Sequence, residues 1–259
     1  AGLRPDPTDA EGRVVLGLEE AVRLELAALD PALVEAFFRE RLRQALPDHE
    51  VRDAQIQMAH GVAQSLVEDT PFVVEAGTGT GKSMAYLGPA ALWALANDGR
   101  VVVSTFTKAL QDQLLRKDLP VLQDVLERPF EAVALKGTGN YLCLRKYHAA
   151  KHLHRDGDER DRWLALELWV GETEVGDKSE LTELPENDEL WSEVTTSPDS
   201  RLGPRCPYYE QCFVTRARRR ADDADLVVVN HHLFFADLAL RKVSEGGRVL
   251  PDYEAVVFD

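Results

Sequence analysis

Residues 75–83 read EAGTGTGKS, and the fold follows from this stretch. An apolar run, PFVVEA at 71–76, leads into a glycine-rich turn, and a helix begins near Lys82. Glycines at such a turn let successive backbone N–H groups face a bound phosphate, and the helix N-terminus adds its positive dipole end. Lys82 is then placed to reach β- and γ-phosphates, and the Ser83 hydroxyl to hold Mg²⁺. The pattern G-x-x-x-x-G-K-[ST] is met with Ala76 in the first place, followed by Gly77, Thr78, Gly79, Thr80 and Gly81. A small residue still occupies that first place. Strand, loop and helix in this order point to a nucleoside triphosphate and Mg²⁺ as ligands rather than to an incidental turn.

The flanking sequence extends the pattern. Residues 52–67 suggest a helix, 71–76 a buried strand, and GKSMAYLGPAALWALAND a helix ending near Gly99. RVVVST (100–105) is the next strand, followed by a helix from Lys108 to about Arg116, and AVALKG (132–137) is a third strand. The alternation breaks over 138–224, then resumes with DLVVVN (225–230), a helix over HHLFFADLALR, and AVVFD (255–259). Continuous apolar, β-branched strands alternating with helices imply an α/β fold, a parallel sheet with helices on both faces. The layout predicts one such domain, at 48–136 and 223–259, interrupted by a mostly helical, cysteine-containing insertion at 137–222. Upstream, 14–45 reads as two amphipathic helices, with Leu33, Val34, Phe37, Phe38 and Leu42 on one stripe and a turn at Asp30–Pro31. The segment 1–47 is assigned no chemistry. Asp259, closing the last strand, is a candidate second carboxylate for Mg²⁺.

Composition narrows the setting. No apolar run approaches the ~20 residues of a membrane span, and the first residues lack a secretory signal. The chain starts without methionine and stops on a strand, which reads as a fragment of a longer protein. Three cysteines in 259 residues speak against a disulfide scaffold and for a reducing compartment, the cytoplasm. The net charge of −15 is unevenly spread: 155–200 carries a net −11, whereas 201–220 holds six arginines against Glu210 alone. Both cysteine-bearing segments are therefore locally basic, and local charge governs phosphate contacts.

EVRDAQIQMA, EAGTGTGKSMAYLGPA, VVVSTFTKALQDQL, KGTGNYLC, RCPYYEQCFVTRAR, ADLVVVNHHLFFADL and LPDYEAVVFD together resemble, in order, the DinG-type branch of the XPD-like superfamily 2 DNA helicases. The resemblance covers about residues 48–259. It implies a RecA-like P-loop NTPase domain that uses ATP and Mg²⁺, acts on single-stranded or forked DNA, and works against a second RecA-like domain in the same full-length chain. Arg52 and Gln55 resemble the pair that reads adenine. Thr105 and Thr107 resemble residues that contact the single-stranded DNA backbone, and Gln113 lies on the helix that follows. Asp259 resembles the first residue of the D-E-A-H box, whose Glu is the catalytic carboxylate, so this fragment is not expected to hydrolyse ATP alone.

The insertion resembles the family's 4Fe–4S iron–sulfur module, which uses one upstream cysteine and then C-x-x-x-x-C-x-x-x-x-x-C. Cys143, Cys206 and Cys212 take three places, and the fourth falls on Arg201, which offers no acceptor. Three readings stay open: an oxygen ligand from Ser200 or Asp199, a three-iron or labile cluster, or no cluster. A zinc site finds no C-x-x-C pair, and His148, His152 and His154 read as surface residues. Lys136, Arg145, Lys146, Arg205, Arg216, Arg218 and Arg219 are candidates for a groove that follows the DNA backbone. Tyr141, Tyr208 and Tyr209 are available for base stacking, while Phe213 reads as packing the module. The alternative to a helicase is a nucleotide-dependent nucleic-acid binding or nuclease-associated protein without cluster or unwinding.

Overall fold

The computed structural model describes residues 29–46, 50, 52–77, 79–126, 129–153, 156–185, 187–244 and 246–259. The first of the two expected upstream helices, Thr78 and His154 lie outside them. In chain order the elements are α1 (Pro31–Ala36), a π-helical turn (Phe37–Arg41), α2 (Leu42–Ala45), α3 (Asp53–Glu68), α4 (Lys82–Asn97), β1 (Val101–Thr105) and α5 (Lys108–Gln113). A second π-helical turn (Leu114–Asp118) leads to α6 (Leu119–Val125), β2 (Ala132–Ala134), α7 (Leu144–Ala150), α8 (Gly157–Glu172), α9 (Glu189–Val194), α10 (Phe213–Asp223), β3 (Leu226–Asn230), α11 (His231–Val243) and β4 (Ala255–Phe258). The described residues fall into two compact units, one drawn from 1–99 and 120–129, the other from 100–119 and 130–259.

In the first unit, Asp30 caps α1 by accepting from the Ala32 N–H, and Pro31 takes the first helical position, where its missing N–H costs nothing. Val34, Phe37, Phe38 and Leu42 are buried as the stripe predicts, whereas Leu33 is exposed. Helices α3 and α4 pack together with their alanine-rich faces inward. The expected buried strand over 71–76 is corrected. This stretch is extended but has no ladder partner among the described residues, and Val73 is 94% exposed. An apolar run becomes a parallel strand only where at least one neighbouring strand completes its hydrogen bonds. Here Phe72 instead lies over Gly61 of α3, where a Cβ would overlap its ring.

The second unit holds a four-stranded, all-parallel sheet in the order β2-β3-β1-β4, a RecA-like α/β arrangement. Val101 pairs with Leu226 on one side and Ala255 on the other. The central strands β1 and β3 are buried almost throughout, while β2 and β4 at the edges are partly open. That is the burial expected of valine-rich strands covered on both faces. One face packs Val102, Val227 and Val229 against Ala221, Leu233 and Phe234 from α10 and α11. The segment between α11 and β4 is held by the buried Asp237, which accepts from the Val249 and Leu250 N–H groups and from Arg241.

Residues between β2 and β3 build a core of their own. Trp163, Leu166 and Trp169 of α8 pack with Tyr147, Leu190, Trp191 and Phe213. All three tryptophans of the acidic stretch therefore point inward, while most of its carboxylates stay outside and Asp188 is buried against Arg162. Helices α7, α8, α9 and α10, together with three short 3-10 turns, make this segment mostly helical, as its sequence predicts.

Candidate nucleotide site and cysteine module

The glycine-rich loop is shaped by side chains that grip its carbonyls. Gly79 and Gly81 adopt φ of 77° and 79°, the left-handed region that only glycine enters without strain. Gly81 then caps the N-terminus of α4, whose first residue is Lys82. From the start of α3, Arg52 donates to the Gly79 carbonyl and Gln55 to the Gly81 carbonyl at 2.9 Å. Lys82 Nζ donates to the Ala76 carbonyl at 3.2 Å, and the Thr80 hydroxyl to the Gly77 carbonyl at 2.9 Å. With carbonyls engaged from within the protein, the loop N–H groups are left to meet an anion. Gln55 is 3% exposed, and its Oε1 is buried with no hydrogen-bond partner among the described residues. A buried acceptor without a donor carries a cost of ~1–3 kcal/mol, which a ligand N–H would offset. The loop thus offers a phosphate cradle beside an unfilled acceptor, and Lys82 and Ser83 are the residues that could meet a phosphate and its cation.

Gly81→Ala is expected to lower stability by about 1–2 kcal/mol, because alanine in the left-handed region is strained and its Cβ would overlap the Gln55 amide. Urea denaturation of wild type and variant measures this. Equal midpoints would mean that the loop does not depend on this grip.

At the carboxyl ends of the strands, the Asp259 N–H donates to the Ser104 carbonyl at 2.9 Å, and the Ser104 hydroxyl pairs with His231 Nδ1 at 2.7 Å. Ligands of open α/β sheets bind beyond this end of the strands. Thr107 is exposed, and its hydroxyl caps α5 by accepting from the Leu110 N–H. Thr105 is fully buried, and its hydroxyl donates to the Thr107 and Val229 carbonyls, so its expected side-chain contact with DNA is corrected.

Two further expectations change. Lys136 is only 5% exposed, and its ammonium lies 2.7 Å from both Asp112 and Asp177 and 3.1 Å from the Ser179 hydroxyl. It joins α5 to the insertion rather than meeting phosphate. Tyr141 is 3% exposed inside the module core, and its hydroxyl accepts from the Lys136 N–H. Burial, with the nearby Asp177 charge, drives this phenol far above its ordinary pKa, and no ring face is open to a base. Phe213 packs the core as expected. Tyr208 stacks on His148 at 5.0 Å, and Arg219 sits over Tyr209 while paired with Glu210. Arg145 is half-buried beside the cysteines. The role of Lys136 left no local trace in the sequence, because its partners stand 24 and 41 positions away.

The insertion brings Cys143, Cys206 and Cys212 to one cavity of about 30 Å³, which Arg201 also lines. Cys143 precedes α7, Cys206 ends a short 3-10 turn (Gly203–Arg205), and Cys212 precedes α10. All three are free and half-buried. Burial raises the Cys212 thiol pKa, but the Thr215 N–H and hydroxyl and the Arg201 guanidinium outweigh it and hold the thiol below its usual value. Among the described residues, no three His, Cys, Asp or Glu side chains form a group that could hold a metal ion. A 4Fe–4S cube is ordinarily held by four thiolates, and Arg201 has no lone pair to offer at the fourth place, so three cysteines and an arginine do not fit that cluster.

No family model matches the chain. It is 41% identical over 223 residues to the ATP-dependent DNA helicase YoaA of Escherichia coli, covering 85% of this chain and 34% of that protein. It is 42% identical over 229 residues to the ATP-dependent helicase DinG of Mycobacterium tuberculosis, covering 80% of this chain and 33% of that protein. The 3'-5' exonuclease DinG of Bacillus subtilis is 36% identical over 224 residues, covering 84% of this chain and 24% of the relative. The chain spans about a third of the length of the helicases it matches.

Proposed function

This chain belongs to the DinG-like helicase family, and from that premise we propose that it is the ATP-binding lobe of an ATP-dependent DNA helicase. The observation that carries this reading is the loop of 76–83 gripped by Arg52 and Gln55, with Lys82 opening α4. In this reading the loop N–H groups and Lys82 hold the triphosphate, the Ser83 hydroxyl would hold Mg²⁺, and Gln55 Oε1 accepts from the adenine amine. Mg²⁺ would neutralise charge on the phosphates during transfer to water. The lobe spans 48–136 and 223–259, with 137–222 as an inserted module and 1–47 as a helical segment. Thr107, Arg145, Arg205, Arg216, Arg218 and Arg219 would follow the backbone of single-stranded or forked DNA, and a second RecA-like domain in the full-length protein would complete the motor. Such a protein works in the bacterial cytoplasm or nucleoid; no helix among the described residues is long and apolar enough to cross a membrane. An iron–sulfur cluster is not part of this reading, because Arg201 stands where the fourth thiolate would be required.

The test is ATP hydrolysis by the full-length protein with and without single-stranded DNA, alongside strand separation on a forked duplex. Hydrolysis that rises with DNA and accompanies unwinding is expected. Hydrolysis indifferent to DNA would overturn the helicase reading. DNA-stimulated hydrolysis without strand separation would favour the non-unwinding alternative.

A further inference from the structure

The cysteine cavity is bridged by side chains of the protein. Arg201 crosses from the 197–206 loop to α10, where its Nη2 donates to the buried Thr215 hydroxyl at 2.6 Å. Thr215 and the guanidinium face the Cys212 thiol together. The cysteine backbones are fixed independently of any metal: the Cys143 N–H donates to Val194 O at 2.7 Å, Cys206 N–H to Gly203 O at 3.0 Å, and Cys212 N–H to Tyr209 O at 3.3 Å. We infer that in this protein Arg201 takes the fourth corner of the cysteine module, so that a guanidinium–threonine bridge ties the loop to α10 in place of iron.

Three observations support this beyond the count of thiols. A guanidinium stays protonated and has no lone pair to give to iron. Of the two oxygens that could replace a thiolate, Asp199 is exposed on the loop, and Ser200 Oγ meets the hydroxyls of Thr196 at 2.9 Å and Ser197 at 2.8 Å and accepts from the Ser197 N–H at 3.1 Å. Arg201 lines the same small cavity, of about 30 Å³, as the three cysteines, so its side chain takes part of the space between them. The inserted module also has an aromatic core of its own, so it does not depend on a metal for burial of apolar surface. A module closed in this way is insensitive to oxygen and chelators.

The inference is tested on the full-length protein, expressed with added iron and purified anaerobically, by assaying iron, acid-labile sulfide and visible absorbance. Wild type is expected to hold only traces, with a melting temperature unchanged by an iron chelator. Arg201→Cys is expected to acquire about four irons per chain and a brown colour, because it restores the fourth thiolate. Stoichiometric iron and sulfide in wild type would overturn the inference. So would an Arg201→Cys protein that keeps its helical circular dichroism yet stays colourless, since the fourth corner would then lie elsewhere. If that variant does not fold, the wild-type iron content decides. Iron content is read without ATP turnover, so the outcome is separate from that of the helicase test.

Discussion

Replacing Lys82 with alanine is expected to reduce ATP turnover by the full-length protein on the order of 10²–10³-fold, the loss typical when one preorganised donor to a developing charge is removed. The expectation rests on position. Lys82 is the first residue of α4, directly after the left-handed Gly81, and its ammonium already lies within the loop at the Ala76 carbonyl. A phosphate arriving in the loop offers that ammonium a stronger, charge-assisted partner than a neutral carbonyl. Alanine removes the charge but keeps helix propensity, so the fold of α4 is preserved. Nucleotide affinity should fall as well, by roughly 2–5 kcal/mol if the triphosphate stays charged and partly desolvated. Arginine at the same place keeps the charge but not the compact ammonium, and it should rescue binding more than turnover. Titration with a fluorescent ATP analogue and a phosphate-release assay measure the two effects, with circular dichroism as the check on folding. Unchanged affinity in a folded Lys82→Ala protein would remove residues 76–83 from the nucleotide site.

The parts of this molecule legible in the sequence are those specified over short distances. Asp30 before Pro31, Gly81 before Lys82, and Asn230 before His231 each mark a helix start that the structure reproduces, with Asp30 and Asn230 capping by side-chain hydrogen bonds. The valine runs of β1, β3 and β4 likewise reveal a parallel sheet, because strands buried on both faces need no alternation. The stretch 71–76 carries the same apolar signature and yet has no ladder, since pairing depends on neighbours that a local pattern does not encode. The same limit explains Thr105 and Tyr141. Each belongs to a residue type that contacts nucleic acids, but one closes the end of β1 and the other fills the module core. Arg201 was legible only as a spacing; the Thr215 hydroxyl that receives it is 14 positions away and visible only in three dimensions.

Lys136 turns that difference into a measurement. As a phosphate contact, its loss would weaken DNA binding and its salt dependence while leaving stability unchanged. As the structure has it, one buried ammonium neutralises two carboxylates, Asp112 on α5 and Asp177 in the insertion. Lys136→Ala would leave both carboxylates facing each other without a counter-charge, and removing one partner from a buried ionic group costs about 3–5 kcal/mol. Much of this is the desolvation of charges left behind, so neutralising them should recover part of the loss. Lys136→Met combined with Asp112→Asn and Asp177→Asn is therefore expected to be more stable than Lys136→Ala, because a set of buried charges replaced together is often tolerated. The two carboxylates reach the lysine from the helix after β1 and from the inserted module, so the same substitution should loosen the module selectively. Protection of the Tyr141–Tyr147 amides from hydrogen exchange should fall more than that of the β1 and β3 amides, whose ladders do not involve Lys136. Chemical denaturation and hydrogen exchange read these effects directly. A Lys136→Ala protein with wild-type stability and weakened DNA binding would reverse the assignment and return Lys136 to the DNA groove.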